Sequence, residues 1–261
     1  MSHHIFYFET LGRQYTLPTA TIIASSEKPL ARGRDMVERT PSAGVGRASE
    51  QMQVEVLRLF PTPIVVATIP TPESLNTELR RIILARESAN ESVERSNYGG
   101  WQSSSDMHEW GGSPIQKVLA YARAVVDDAT VDRFGKHHKI AWRINCWANV
   151  SRNGHGHQFH THPGALWSAS YYVDDGGIGT DPSLGGEFEI LDPRGVAPVM
   201  YAPQLTFPGP EFVALGEAQR LTPRAGVLIV FPSWLSHGAC PYRGNGERIS
   251  IAINFSIASN G

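Results

Sequence analysis

Arg248-Ile249-Ser250-Ile251-Ala252-Ile253-Asn254-Phe255-Ser256 alternates without a break. In a strand, successive side chains point to opposite faces. Ile249, Ile251, Ile253 and Phe255 therefore share one face, and Arg248, Ser250, Ala252, Asn254 and Ser256 share the other. The apolar face belongs against a core. The polar face suits either solvent at the edge of a sheet or the wet interior of a sheet closed on itself.

Working backwards, residues 140–150 alternate in the same way, and shorter strand-like runs cover 166–173, 187–191, 212–215 and 226–231. The turns between them hold Gly, Pro, Asp and Asn. Two helices are expected before these strands. Residues 72–88 carry the stripe Leu75, Leu79, Ile82 and Ile83, with Thr71 as cap and Pro72 in the first turn. Residues 114–127 carry Ile115, Val118, Leu119, Ala122, Val125 and Val126, with Ser113 as cap. Residues 97–112, rich in Gly and Ser, are expected to loop. The proline-rich stretch 193–211 reads as a long excursion, a lid over a pocket mouth. Strands following two helices predict a mostly β fold: a double-stranded β-helix (jelly-roll, cupin-like) core over about 139–256, with helices flanking one sheet.

Residues 1–51 differ from the rest. Segment 24–51 is rich in Ser, Arg, Glu and Gly and has no sustained period, which reads as a disordered or loosely attached extension. Met52 precedes the alternating run 54–60 and is an alternative start. A single domain over 52–261 is expected. With 41% hydrophobic residues and a formal net charge of −2, the 261-residue chain offers no electrostatic footprint for nucleic acid or a membrane surface. No apolar run approaches a membrane span of about 20 residues, and the N-terminus lacks the basic region and apolar core of a secretory signal. Two cysteines, Cys146 and Cys240, suit free thiols in a reducing compartment. The expected location is cytoplasmic and the expected partner a small-molecule or peptide substrate.

The chemistry concentrates in Phe159-His160-Thr161-His162-Pro163. An i, i+2 pair on a strand puts both imidazoles on one face. His237 follows His162 by 75 residues, and Arg248 follows His237 by 11. Imidazoles suit iron(II), and oxygenases leave open positions beside two His and one carboxylate. Here His162 stands where the acid of a His-x-Asp pair is usual. Three ligand sets are open: His160, His162 and His237 together; one of the close pair with Glu187 or Glu189; or water in the third position. The all-His set is favoured by the pair's shared face. His155 and His157 flank Gly156, read as loop residues, and are left outside the site. The competing view is a solvated, His-rich loop. Arg248 offers a guanidinium fork matched to a carboxylate, and Ser250 adds a hydroxyl on the same face. Together they suit the distal carboxylate of 2-oxoglutarate. Tyr172 shares a face with Ser168 and Ser170 and points toward the same pocket. Asn149 reads as turn chemistry, and Asp192 and Arg194 as a local salt bridge. Trp101, Gln102 and Asp106 line the substrate mouth or serve the core and a turn.

Several segments together resemble the bacterial 2-oxoglutarate- and iron(II)-dependent oxygenases described mostly from sequence. They are Leu59-Phe60-Pro61-Thr62-Pro63-Ile64, Gly100-Trp101-Gln102-Ser103 with Asp106 and His108, Trp147-Ala148-Asn149-Val150, His160-Thr161-His162-Pro163-Gly164, Tyr171-Tyr172-Val173, Asp192-Pro193-Arg194, Phe231-Pro232-Ser233-Trp234-Leu235-Ser236-His237 and Arg248-Ile249-Ser250. The resemblance covers about residues 54 to 256. The His160 strand, Gly185-Gly186-Glu187-Phe188, His237 and Arg248 are more distantly similar to the prolyl 4-hydroxylase arrangement. The resemblance implies a double-stranded β-helix with Fe(II) and 2-oxoglutarate at its open end. It implies metal roles for His160 and His237 and an anchor role for Arg248 and Ser250. The expected activity is hydroxylation of a substrate with release of succinate and CO2. The alternatives are a three-His cupin-like metalloprotein that needs no 2-oxo acid (a dioxygenase or isomerase) and a non-catalytic binding module.

Overall fold

The computed structural model describes residues 40–41, 55–56, 62–195, 205 and 216–258. The strand expected at 212–215, most of the excursion 193–211 and nearly all of the extension 1–51 lie outside the described residues, as does most of the run 54–60. The chain divides into two compact units, Met1–Leu59 and Phe60–Gly261. In the first, β1 (Thr40–Pro41) pairs antiparallel with β2 (Glu55–Val56).

The second unit begins with β3 (Val65–Thr68) and α1 (Pro72–Ala89). Pro72 opens α1 as expected, its fixed φ suiting the first turn. Thr71 does not cap it through its side chain; it adopts a left-handed φ of 43° and makes no capping hydrogen bond. Leu79 and Ile83 are fully buried and Leu75 partly so. Residues 97–112 are more ordered than expected. They form β4 (Asn97–Tyr98), β5 (Trp101–Gln102) and the single turn α2 (Met107–Trp110). The next helix, α3 (Gly112–Asp128), starts one residue before Ser113, so Ser113 lies within its first turn and Gly111 occupies the cap position. All six residues of its expected stripe pack into the core.

The remaining strands are β6 (Trp142–Ser151), β7 (Gly156–His160), β8 (Trp167–Asp174), β9 (Phe188–Ile190), β10 (Gln219–Leu221), β11 (Val227–Pro232), β12 (His237–Ala239) and β13 (Arg248–Ile257). They make two antiparallel sheets. The larger has the order β3-β11-β8-β13-β6-β5 and the smaller β10-β9-β12-β7-β4. These sheets and flanking helices are the expected mostly β architecture.

The larger sheet has two chemically distinct faces. Ile249, Ile251, Ile253 and Phe255 of β13 join Cys146, Ala148 and Val150 of β6 and Trp167, Ala169 and Tyr171 of β8 in one apolar cluster with α1 and α3. One polar pair sits within that layer: the Tyr171 hydroxyl donates to Asn76 Oδ1 of α1 at 2.5 Å, which satisfies both buried groups. The opposite face carries Asn149, Ser170, Tyr172 and Ser250, and it meets residues of the smaller sheet around a cavity. Ion pairs from Arg80 to Asp174 (2.8 Å) and Glu247 (2.6 Å) tie α1 to the end of β8 and the approach to β13. They are part-exposed, and such pairs stabilise little. Among the described residues no helix is long and apolar enough to cross a membrane.

Ile83 has no exposed surface and sits where α1 meets the sheet. Ile83→Ala is expected to cost about 2–5 kcal/mol through lost burial and the cavity left behind. A urea titration should show a lower midpoint with an unchanged slope.

Candidate metal centre

His160 ends β7 and His237 begins β12, and the two residues are register partners across that antiparallel ladder. Directly opposed residues present their side chains to the same face, so the two imidazoles meet with ring centroids 4.4 Å apart. His162 joins them by a different route from the expected one. β7 stops at His160, so the pair does not share a regular strand. Instead the His162 backbone N–H donates to the Ser233 carbonyl at 3.0 Å, which ties the residue to the turn between β11 and β12. Its ring lies 4.9 Å from that of His160 and 5.0 Å from that of His237. One potential ligand nitrogen from each of the three falls within 4.8 Å of the others.

Two of the rings are held by the backbone. His160 Nδ1 lies 2.8 Å from the Gln158 carbonyl and His237 Nδ1 lies 2.9 Å from the Leu235 carbonyl. A carbonyl only accepts, so each Nδ1 carries the proton and each Nε2 keeps its lone pair for a ligand. The Ser96 hydroxyl stands 3.4 Å from His160 Nε2. Phe231 and Phe188 pack on His237, and Trp147 packs edge-on against His162.

These surroundings keep the imidazoles neutral. Burial pushes His237 down to about 3 and His162 down to about 4, with neighbouring imidazoles adding to the effect. Burial also lowers His160, partly countered by its bond to the Gln158 carbonyl. Neutral imidazoles with free lone pairs are the protonation state that metal binding requires.

No carboxylate joins this group among the described residues. On β9, Phe188 and Ile190 turn into the inner apolar cluster. Glu189 therefore points the other way, where Arg220 Nε donates to its Oε1 at 2.7 Å. Glu187 is likewise no member of the group.

His157, expected on a loop and set aside, is part of β7 and lines the cavity. Strict alternation would send residues 157 and 160 to opposite faces. The ladder avoids this through a bulge: His160 pairs with His237 but His157 pairs with Ala239, three residues against two. An extra residue in one strand resets its alternation. Burial holds His157 down to about 3, and the nearby Arg248 charge lowers it further.

The inner cavity, about 60 Å³, runs from the histidines to Arg248 and Ser250. Arg248 and Ser250 are both buried. The guanidinium stacks over the Tyr172 ring, 5.1 Å from its centroid, and enters no ion pair among the described residues. Arg248 Nε, the Tyr172 hydroxyl and Asn149 Oδ1 are all buried without a hydrogen-bond partner. Gly186 packs against this side chain: its φ is +80°, and a Cβ there would lie 2.8 Å from Ile178 Cδ1 and 3.1 Å from Arg248 Cδ. Asn149, expected as turn chemistry, sits inside β6 opposite Ser250 and Gln102 and points into this cavity. Asp192 and Arg194 form the expected local pair at 2.8 Å. Trp101 belongs to the core, whereas Gln102 lines a second, larger space. That outer cleft, about 810 Å³, shares Ser96, Trp147, His160 and His162 with the inner cavity and is otherwise bounded by residues 93–95, 102–105, Gln158, Phe159 and Thr161.

The depressed imidazoles have a consequence for stability. In the unfolded chain a histidine titrates near 6.5, whereas His157, His162 and His237 stay neutral to about 3 or 4 when folded. As pH falls below 6.5 the unfolded state gains protons that the folded state does not, so stability falls. Thermal melts of the metal-free protein should be level above pH 7 and decline from pH 6.5 toward 4. A flat profile through that window would contradict the neutral, buried site.

Comparison with solved structures places the fold. The Pseudomonas putida prolyl-4-hydroxylase is 18% identical, with a TM-score of 0.53 over 76% of this chain and 94% of that one. A Trichoplax adhaerens prolyl hydroxylase, solved with a peptide fragment of a hypoxia-inducible factor oxygen degradation domain, is 14% identical, with a TM-score of 0.53 over 74% and 83%. HygX from Streptomyces hygroscopicus, solved with nickel and 2-oxoglutarate, is 11% identical, with a TM-score of 0.50 over 76% and 84%. At these identities the likeness is one of fold. No curated protein matches the chain in sequence. Residues 145–254, the stretch that carries all three histidines together with Arg248 and Ser250, match the family described as "Putative 2OG-Fe(II) oxygenase".

Proposed function

We propose that the protein is an Fe(II)- and 2-oxoglutarate-dependent oxygenase in which His160, His162 and His237 hold the metal and Arg248 and Ser250 hold the co-substrate. The observation that carries this reading is the buried Arg248 guanidinium, which has no carboxylate partner among the described residues and lies in the same cavity as the three histidines. A buried, unpaired charge is costly. A dicarboxylate reaching from the histidines to Arg248 would neutralise it with a two-pronged, charge-assisted contact. The orphaned Tyr172 hydroxyl and Asn149 Oδ1 would gain partners in the same event.

The donor set fits a metal of this kind. Imidazole is a good ligand for iron(II), and three ligands leave open positions. Iron bound there would supply, with 2-oxoglutarate and O2, oxidative decarboxylation to succinate and CO2 coupled to hydroxylation, one oxygen atom going to succinate and the other to the substrate. The chain's own residues orient and exclude. Carbonyls of Gln158 and Leu235 set the His160 and His237 tautomers. Phe188 and Phe231 pack against His237 and keep water from that side. A substrate, whether small molecule or peptide, would enter by the outer cleft and meet the centre at the His160–His162 edge that both spaces share.

A second reading, a three-His metalloprotein that needs no 2-oxo acid, draws on the lack of a carboxylate in the cluster. Two variants test the site: the first checks the metal ligands common to both readings, and the second checks the co-substrate anchor that separates them. His237→Ala should abolish stoichiometric metal binding, assayed by anaerobic Fe(II) titration. Arg248→Ala should weaken 2-oxoglutarate binding by about 10- to 100-fold, the worth of a hydrogen bond to a charged group, and leave metal stoichiometry at saturation unchanged. Metal bound by the wild type with no affinity for 2-oxoglutarate would favour the second reading.

A further inference from the structure

The electrostatic balance of the cavity goes beyond the ligand assignment. A site of two histidines and one carboxylate brings one negative charge to a divalent ion. Here the three gathered side chains are imidazoles, and no Asp or Glu among the described residues shares the cluster. The other ionisable groups lining the cavity do not help. Arg248 brings a guanidinium, and His157 beside it is an imidazole and not an acid. A divalent ion on the histidines would therefore stand in the same small space as a guanidinium, a space lined by no carboxylate among the described residues. Repulsion between cations is strong where water is excluded.

We propose that the protein is built to take its metal and a dianionic 2-oxo acid as one electrostatic unit: His162 withholds the usual carboxylate, so each partner binds weakly alone and the pair binds tightly. This rests on the co-substrate reading above and adds how the site is regulated. The anion brings two negative charges, which set against the divalent ion and Arg248 leave one positive charge in place of three. Any 2-oxo acid that chelates a metal raises its affinity. The present inference is that the coupling depends on the identity of residue 162. Coupling of this kind is reciprocal, so the factor by which the anion tightens the metal equals the factor by which the metal tightens the anion. Metal occupancy then follows the concentration of the 2-oxo acid.

The test uses the full chain with Co(II), which needs no protection from oxygen on the timescale of a titration, and reads binding by calorimetry and by the visible Co(II) absorption. In the wild type, saturating 2-oxoglutarate should lower the Co(II) Kd by tens of fold, on the order of the larger couplings seen between sites. Saturating Co(II) should lower the 2-oxoglutarate Kd by the same factor. His162→Asp should bind Co(II) tightly without the anion and reduce the coupling to a few-fold, whereas the neutral His162→Asn should keep the larger factor. Equal Co(II) affinity with and without 2-oxoglutarate in the wild type overturns the proposal while leaving the metal assignment intact. So does an undiminished coupling in His162→Asp. If wild type, folded by circular dichroism, binds no Co(II) under either condition, the oxygenase reading itself fails.

Discussion

The architecture depends on one constraint: the central strands of the larger sheet must present hydrocarbon to one side and polar groups to the other. β13 shows it most plainly. Ile249, Ile251, Ile253 and Phe255 close against α1 and α3, while Arg248 and Ser250 look into the cavity. A one-residue slip in register would exchange the two sets, burying a guanidinium under the helices and turning four large apolar side chains into the cavity. The long ladders of β13 with β6 and β8 make such a slip costly. The position of Arg248 is thus fixed by the same packing that stabilises the domain.

The histidines depend on the smaller sheet, whose strands are short. β12 has three residues and β9 three. What holds His237 against His160 is less the length of the ladder than its context. β12 is paired on both edges, by β7 and β9, and Phe188 and Phe231 pack on the imidazole. The carbonyls of Gln158 and Leu235 then fix the ring tautomers. The site combines a wall of long ladders bearing Arg248 with a shorter, locally pinned wall bearing the histidines.

This division explains what was legible in the sequence. Long periodic elements could be read. The α1 and α3 stripes, the strands near 140–150 and 248–256, and the inward face shared by Ser168, Ser170 and Tyr172 all appear in the fold. So does the meeting of His160, His162 and His237, although a shared strand face does not account for His162: β7 ends before it and a turn contact positions it. Local irregularity was not legible. The bulge that turns His157 inward leaves no mark in an alternation pattern, and Asn149 looked like a turn residue because its cross-strand partners are distant in sequence. Caps failed for a similar reason. Thr71 and Ser113 have suitable side chains, but the backbone leading into each helix does not offer the capping geometry.

The two connected spaces give the arrangement its chemical sense. The inner cavity is narrow, ends at a guanidinium and holds several orphaned polar atoms, so it suits a small anion that must be fixed in one pose. The outer cleft is more than tenfold larger, bounded by hydroxyls, amides, Glu94, Arg95, the His160 and His162 imidazoles and the rings of Trp147 and Phe159, and suits a bulkier molecule. The two share His160 and His162. The third histidine is 5% exposed, behind the phenylalanines, and borders only the inner space. The three histidines therefore have unequal positions: His237 is pinned within the smaller sheet, and His160 and His162 stand between the two spaces.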